Sequence, residues 1–178
     1  MGIWARELEG GFGRGGERLL YCASMKKERE HQAQDANYER RVRESFGRQG
    51  LMRHLGAELA RLGPGQSEIH VAYREELTQQ HGYFHAGVTG AIADTACGYA
   101  AYTLMPESAT VLTAEYKMNL LAPARGERLI ARAEVVRAGR TLTVCQANVY
   151  AKRGEEETHC ATLLATIVCL AGKSDKAE

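Results

Sequence analysis

The chain has 178 residues, 44% hydrophobic and 25% charged, which is the composition of one soluble globular domain and too short for two of ordinary size. Its 23 Lys and Arg against 22 Asp and Glu leave a net charge of +1, so no overall field draws in nucleic acid or an anionic membrane. Five cysteines without a CxxC pair argue against a disulfide framework and a structural zinc site, and no apolar run approaches the length of a membrane span. A soluble cytoplasmic protein is the expectation.

Residues 1 to about 24 are rich in Gly and Arg and show neither helical nor strand periodicity. We assign 1–36 to a disordered leader, 37–172 to one folded domain and 173–178 to a polar tail. Tyr38, Val42 and Phe46 recur at four-residue spacing among Arg and Glu, which predicts an amphipathic helix that Leu51 and Leu55 continue after an interruption at Gly47 to Gly50. Runs 58–62 and 68–73 around Gly63-Pro64-Gly65 predict a hairpin, with Ile69, Val71 and Tyr73 on one face of its second arm.

The stretch 87–104, GVTGAIADTACGYAAYTL, is long enough for a buried central helix and is crowded with Gly and Ala, so a sheet can approach it closely. Beyond Pro106, runs 110–121, 127–138, 141–152 and 157–170 have strand character and are read as a meander. The order predicts an α+β domain in which one antiparallel sheet wraps around one helix.

Several familiar patterns fail here. The GxGxxG match at 11–16 has no preceding strand and no βαβ context, and no GxSxG elbow is present. His81 and His85 have HxxxH spacing with Asp94 further on, yet Gly82 breaks the helical geometry a metal site would use, and two polar loop residues is the simpler reading; no metal is expected. Cys97 lies one helical turn after Asp94, whose charge would raise rather than lower its pKa, so core packing suits it better than nucleophilic catalysis.

What remains is His85-Ala86-Gly87-Val88 and, nine positions after the histidine, Asp94. A loop that opens directly into a helix offers unpaired N–H groups and the positive end of a helix dipole, which can stabilise an oxyanion. Asp94 is the only formal charge of the apolar stretch, where ionisation is costly unless it is paired or wet. Two readings stand open: a carboxylate that deprotonates water or attacks a carbonyl, or one that hydrogen-bonds a neighbouring helix or subunit.

Three blocks in order, HAGVTGAIADTACGYAA (85–101), TAEYKMNLLAPARGE (113–127) and VVRAGRTLTV (135–144), resemble the hotdog-fold acyl-CoA thioesterases of the phenylacetic-acid-degradation (PaaI-type) group, over residues 38–170. The resemblance implies a curved antiparallel sheet around a long helix, a homodimer or homotetramer with active sites at the dimer interface, and hydrolysis of an acyl-CoA without metal or redox cofactor. It implies Asp94 as general base or nucleophile, Ala86 as the oxyanion-hole N–H, and His85 beside the thioester. Gln79 matches an amide that orients water or substrate, and Thr113 a hydroxyl that positions the water from the opposite subunit. Gly87 belongs to the same loop, Tyr83 and Phe84 line the acyl pocket, and Arg137 and Arg140 flank a hairpin turn suited to CoA phosphates. Relatives commonly carry Gly where Ala86 stands, so the loop must not need a positive φ there. Two other functions compete: a non-catalytic acyl-CoA-binding module, and a hotdog hydratase or dehydratase.

Overall fold

The computed structural model describes residues 31–173; of the leader assigned to 1–36, residues 1–30, and of the tail assigned to 173–178, residues 174–178, lie outside the described residues. Six strands form one antiparallel sheet in the order β1-β2-β4-β5-β6-β3, with β1 at Ala57–Gly63, β2 at Gln66–Ala72, β3 at Ala109–Leu120, β4 at Arg128–Arg137, β5 at Leu142–Arg153 and β6 at Glu156–Ala171. Helices α1 (Tyr38–Arg48) and α2 (Gly50–Leu55) precede the sheet, and α3 (Ala86–Tyr102) packs against its inner face. This is the hotdog arrangement.

The central helix can lie close because small residues meet small residues. Ile92, Ala93, Ala96, Cys97, Ala100 and Ala101 on α3 are fully buried, as are Leu129, Ala131, Cys145, Ala147, Val149 and Ala161 on the sheet. Burial of each Ile, Leu or Val side chain among them contributes about 1.5–3 kcal/mol. Polar ties then fix the helix along its length: Ser67 Oγ donates to the Ala96 carbonyl (2.7 Å) in its middle. At its C-terminal end the Gly65 N–H donates to Thr103 Oγ1 (2.7 Å), so the β1–β2 turn sits there.

Helix α1 forms where the sequence spacing places it, with Val42 buried and the exchanged pairs Glu39–Arg43 and Arg40–Glu44 on the wet side, each worth about 0.3–0.5 kcal/mol. Gln49 takes an extended conformation and separates α1 from α2. Arg41 points inward: it pairs with Asp35 (2.8 Å), donates to the Met105 carbonyl (2.8 Å) and lies over the Tyr102 ring, which secures the end of α3.

Two expectations need correction. Residues 31–36, placed in the leader, are tied to the domain: His31 Nε2 is 3.0 Å from the Val135 carbonyl, and Gln34 donates to the Leu104 carbonyl. The meander holds for β4, β5 and β6, but β3 does not pair with β4, because β2 and β5 already flank β4; β3 takes the free side of β6 instead. It is thereby an edge strand, and Leu112, Tyr116 and Leu120 along it are more than half exposed.

Candidate active site

The N-terminus of α3 is shaped by the loop before it. Thr78 and Phe84 bridge, the Gln79 N–H donates to the Tyr83 carbonyl (2.9 Å), and the Gly82 N–H returns to the Gln79 carbonyl (2.9 Å). Gly82 makes this turn at φ 77°, which only glycine adopts without cost. Gln79 Oε1 accepts from the His81 N–H, leaving its amide NH2 group without a partner among the described residues.

His85 is the N-cap of α3: its Nδ1 accepts the Gly87 N–H at 2.9 Å, so the neutral ring carries its proton on Nε2. A Cβ on Gly87 would stand 2.9 Å from that nitrogen, so glycine keeps the cap possible. The Gly87 N–H is therefore spent, whereas the Ala86 N–H, first in the helix, has no acceptor among the described residues. Ala86 has helical geometry and no described non-glycine residue has positive φ, so alanine sits at the expected glycine position without strain. With Gln79, Tyr83, Phe84 and Thr89 it lines a hollow of about 470 Å³ that continues to Leu120 and Ala124. Gln80 is exposed and is not part of the lining.

Asp94 lies eight residues further along α3, roughly 12 Å along the helix axis from Ala86. It belongs to a separate hollow of about 320 Å³ with Ser45, Gln49, Thr95, Tyr99 and Thr113. Burial pushes its carboxyl above the ordinary aspartate value, and the Thr113 hydroxyl, donating to Oδ1 at 2.8 Å, partly opposes that shift. Thr113 reaches it through a bulge in β3: the register shifts between Thr113 and Glu115, so Thr113 and Tyr116 stand opposite the inward-facing Ile167 and Ala165. Ser45 Oγ and the Tyr99 hydroxyl share a hydrogen bond of 3.1 Å on the other wall.

Thus the expected residues fall into two half-sites, with Ala86, Gln79, Tyr83 and Phe84 in one and Asp94 and Thr113 in the other, while His85 and Gly87 line a further hollow with Leu51, Leu77 and Ala91. The hydroxyl of Thr113, expected to position the water, is bonded within the chain to Asp94. Arg137 and Arg140 are exposed at the β4–β5 hairpin, whose end is tied through the Val135 N–H and the Gly65 carbonyl to the C-terminal end of α3, at the opposite end of the helix from Ala86 of the same chain. Sequence reasoning missed Gln49, which reads as a mere helix break, and Ser45 and Tyr99.

Cys97 is fully buried and its thiol is pushed up by burial, the neighbouring Cys145 and Asp94, as core packing requires. Among the described residues no three His, Cys, Asp or Glu side chains converge as a metal-binding group, and His81, His85 and Asp94 form none. No helix of the described residues is long and apolar enough to cross a membrane.

Residues 81–158 match the family model described as the thioesterase superfamily. Among solved structures, a thioesterase family protein of Silicibacter pomeroyi is 52% identical, with a TM-score of 0.75, over 76% of this chain and 99% of that one. A thioesterase of Haemophilus influenzae is 26% identical, with a TM-score of 0.65, over 71% of this chain and 87% of its own. The 1,4-dihydroxy-2-naphthoyl-CoA hydrolase of Listeria monocytogenes is 25% identical over 100 residues, 56% of this chain and 81% of that protein.

Proposed function

The chain belongs to the thioesterase superfamily and is a thioester hydrolase, and from that premise we propose that it hydrolyses an acyl-CoA to free acid and CoA, with Asp94 activating the attacking water. The observation that carries this reading is Asp94 itself: a half-buried acid whose proton affinity is raised, opening on a hollow and held by Thr113. A carboxylate made more basic by its surroundings is suited to general-base work near neutral pH. The Ala86 N–H supplies the complementary group, a free donor at a helix N-terminus able to receive the developing oxyanion. The naphthoyl-CoA substrate of the Listeria relative supports a CoA thioester as the substrate class.

Roughly 12 Å of helix separates Ala86 from Asp94, too far for one carbonyl carbon and its water to be served by both in one chain. The reading therefore includes a homodimer. The exposed edge strand β3 is the place for it: a long unpaired edge carrying Leu112, Tyr116 and Leu120 invites pairing with a second copy. A two-fold axis through two antiparallel β3 strands would set the helices antiparallel and bring the N-terminus of one towards Asp94 of the other. Gln79 then serves the carbonyl side, His85 holds the start of the helix as its N-cap, and Thr113 serves the water side.

Free-thiol release tests the activity. Wild-type protein should release CoA from aromatic or aliphatic acyl-CoA substrates, and Asp94→Asn should lose about 10²–10⁴-fold in kcat with its fold retained. Undiminished hydrolysis by that variant would remove Asp94 from the mechanism, and acyl-CoA binding without any release would leave the non-catalytic module as the better reading.

A further inference from the structure

At the end of the sheet near the oxyanion loop, two segments distant in sequence are clamped together. The Glu127 N–H donates to the Lys152 carbonyl (2.8 Å), and the Tyr73 N–H donates to the Glu127 carbonyl (2.8 Å). Gly126 permits the approach, because a Cβ there would stand 2.5 Å from the Lys152 carbonyl oxygen, which is backbone and cannot yield cheaply. As a result Arg125, just before this clamp, and Arg153, at the end of β5, line one hollow of about 570 Å³ with Tyr73, Gly82, Gly126 and Glu127.

Neither guanidinium has a hydrogen bond or ion pair among the described residues, in contrast to Arg40, Arg41, Arg43 and Arg132, each paired with a carboxylate. Glu127 is the one acid in the lining and forms no ion pair with either arginine, so two positive charges face one negative. The hollow adjoins the Ala86 half-site along both loops of its wall. Gly82 is followed by Tyr83, and Arg125 is preceded by Ala124, and both Tyr83 and Ala124 line the Ala86 hollow. Phe84 is the partition, its N–H on the Ala124 carbonyl (3.0 Å) and its ring edge-on to Tyr73 at 5.5 Å between centroids.

We propose that Arg125 and Arg153 form the phosphate-binding subsite for the nucleotide end of the CoA substrate, an assignment that rests on the acyl-CoA reading above. A thioester whose carbonyl sits at the Ala86 N–H lies against Phe84, and the hollow across that wall offers these two cations, unpaired among the described residues. Paired guanidiniums present planar donor forks that match phosphate oxygens, and they stay charged at any working pH. Remote phosphate contacts of this kind add uniform binding, so they act on KM and leave kcat alone.

The test is the double variant Arg125→Ala/Arg153→Ala assayed with one acyl group carried on CoA and on pantetheine. The expected result is a KM raised about ten- to hundredfold for the acyl-CoA, with kcat and all constants for acyl-pantetheine unchanged. Equal effects on both carriers, or none on either, overturn the assignment. Calorimetric titration of wild type and variant with free CoA decides the matter even if no thioester is turned over: affinity lost in the variant upholds the subsite, equal affinity ends it. In the same titration dephospho-CoA locates the recognised group, since a penalty that persists places the arginines on the diphosphate and one that vanishes places them on the 3′-phosphate.

Discussion

Thr113 Oγ1 donates to Asp94 Oδ1 at 2.8 Å, and among the described residues it is the one contact that counters the upward pull of burial on that carboxyl. The hydroxyl thus both orients the acid and favours its ionised form. In kcat/KM, loss of activity on the acid side should follow Asp94 with an apparent pKa above the ordinary aspartate range. Thr113→Val should move that limb further towards neutral pH as well as lowering the plateau. A plateau loss with an unmoved limb would mean that Thr113 only packs against the acid.

The same shift has a consequence for stability. A carboxyl that holds its proton more tightly folded than unfolded contributes stability that is complete below the unfolded-state pKa and lost as pH rises through the folded one. Asp94 therefore destabilises the fold at neutral pH. Asp94→Asn, whose Oδ1 can still accept from Thr113, should raise Tm at about pH 7, and the gain should shrink to nothing near pH 3, where aspartate is protonated in both states. Thermal melts across that range check it; a gain independent of pH would show that charge burial is not its source.

Much of this was legible in the chain itself. The small-residue stripe of 87–104 announced a helix that a sheet could approach, and Asp94 stood out because no other formal charge shares that stretch. The position of β3 was not legible, since alternation marks a strand but not its neighbours, and β4 turned out to be flanked already by β2 and β5. Nor was the pairing of Thr113 with Asp94 of its own chain, which depends on a bulge that no periodicity encodes. Gln49 gave no signal, because a polar residue at a helix break looks the same whether or not it faces an acid. Arg125 and Arg153 are joined by Gly126, whose value lies in a backbone approach that exists only in three dimensions.

Arg41 is a structural counterpart to these functional groups. Its side chain is 13% exposed, and it neutralises Asp35, which is 5% exposed, while bonding to the carbonyls of Tyr102, the last residue of α3, and Met105 beyond it. Arg41→Met keeps the bulk and removes the charge, leaving the Asp35 carboxylate buried with the Asn37 N–H as its one remaining partner among the described residues. Denaturant unfolding should show a loss of about 3 kcal/mol. The enzyme that remains folded should keep its kcat, because Arg41 touches neither half-site; a fall in kcat at full folding would mean that the end of α3 transmits strain to Asp94.

Sharing of the two half-sites between copies can be tested with variants that are each inactive. Ala86 is the first residue of α3, and His85 before it is already extended at φ −65° and ψ 140°, so Ala86→Pro fits the backbone while deleting the N–H. Loss of that donor should lower kcat by about 10²–10³-fold without unfolding the helix. Asp94→Ala removes the acid and spares the donor. If one chain supplied both groups, mixing the two variants would restore nothing. With sites built across a two-fold interface, half of the randomly paired dimers are mixed, and each mixed dimer unites an intact Asp94 with an intact Ala86 N–H at one of its two sites. Refolding the two together should therefore recover about a quarter of wild-type activity, measured as thiol release against the same variants refolded separately; recovery no greater than the separate sum would dismiss the shared site.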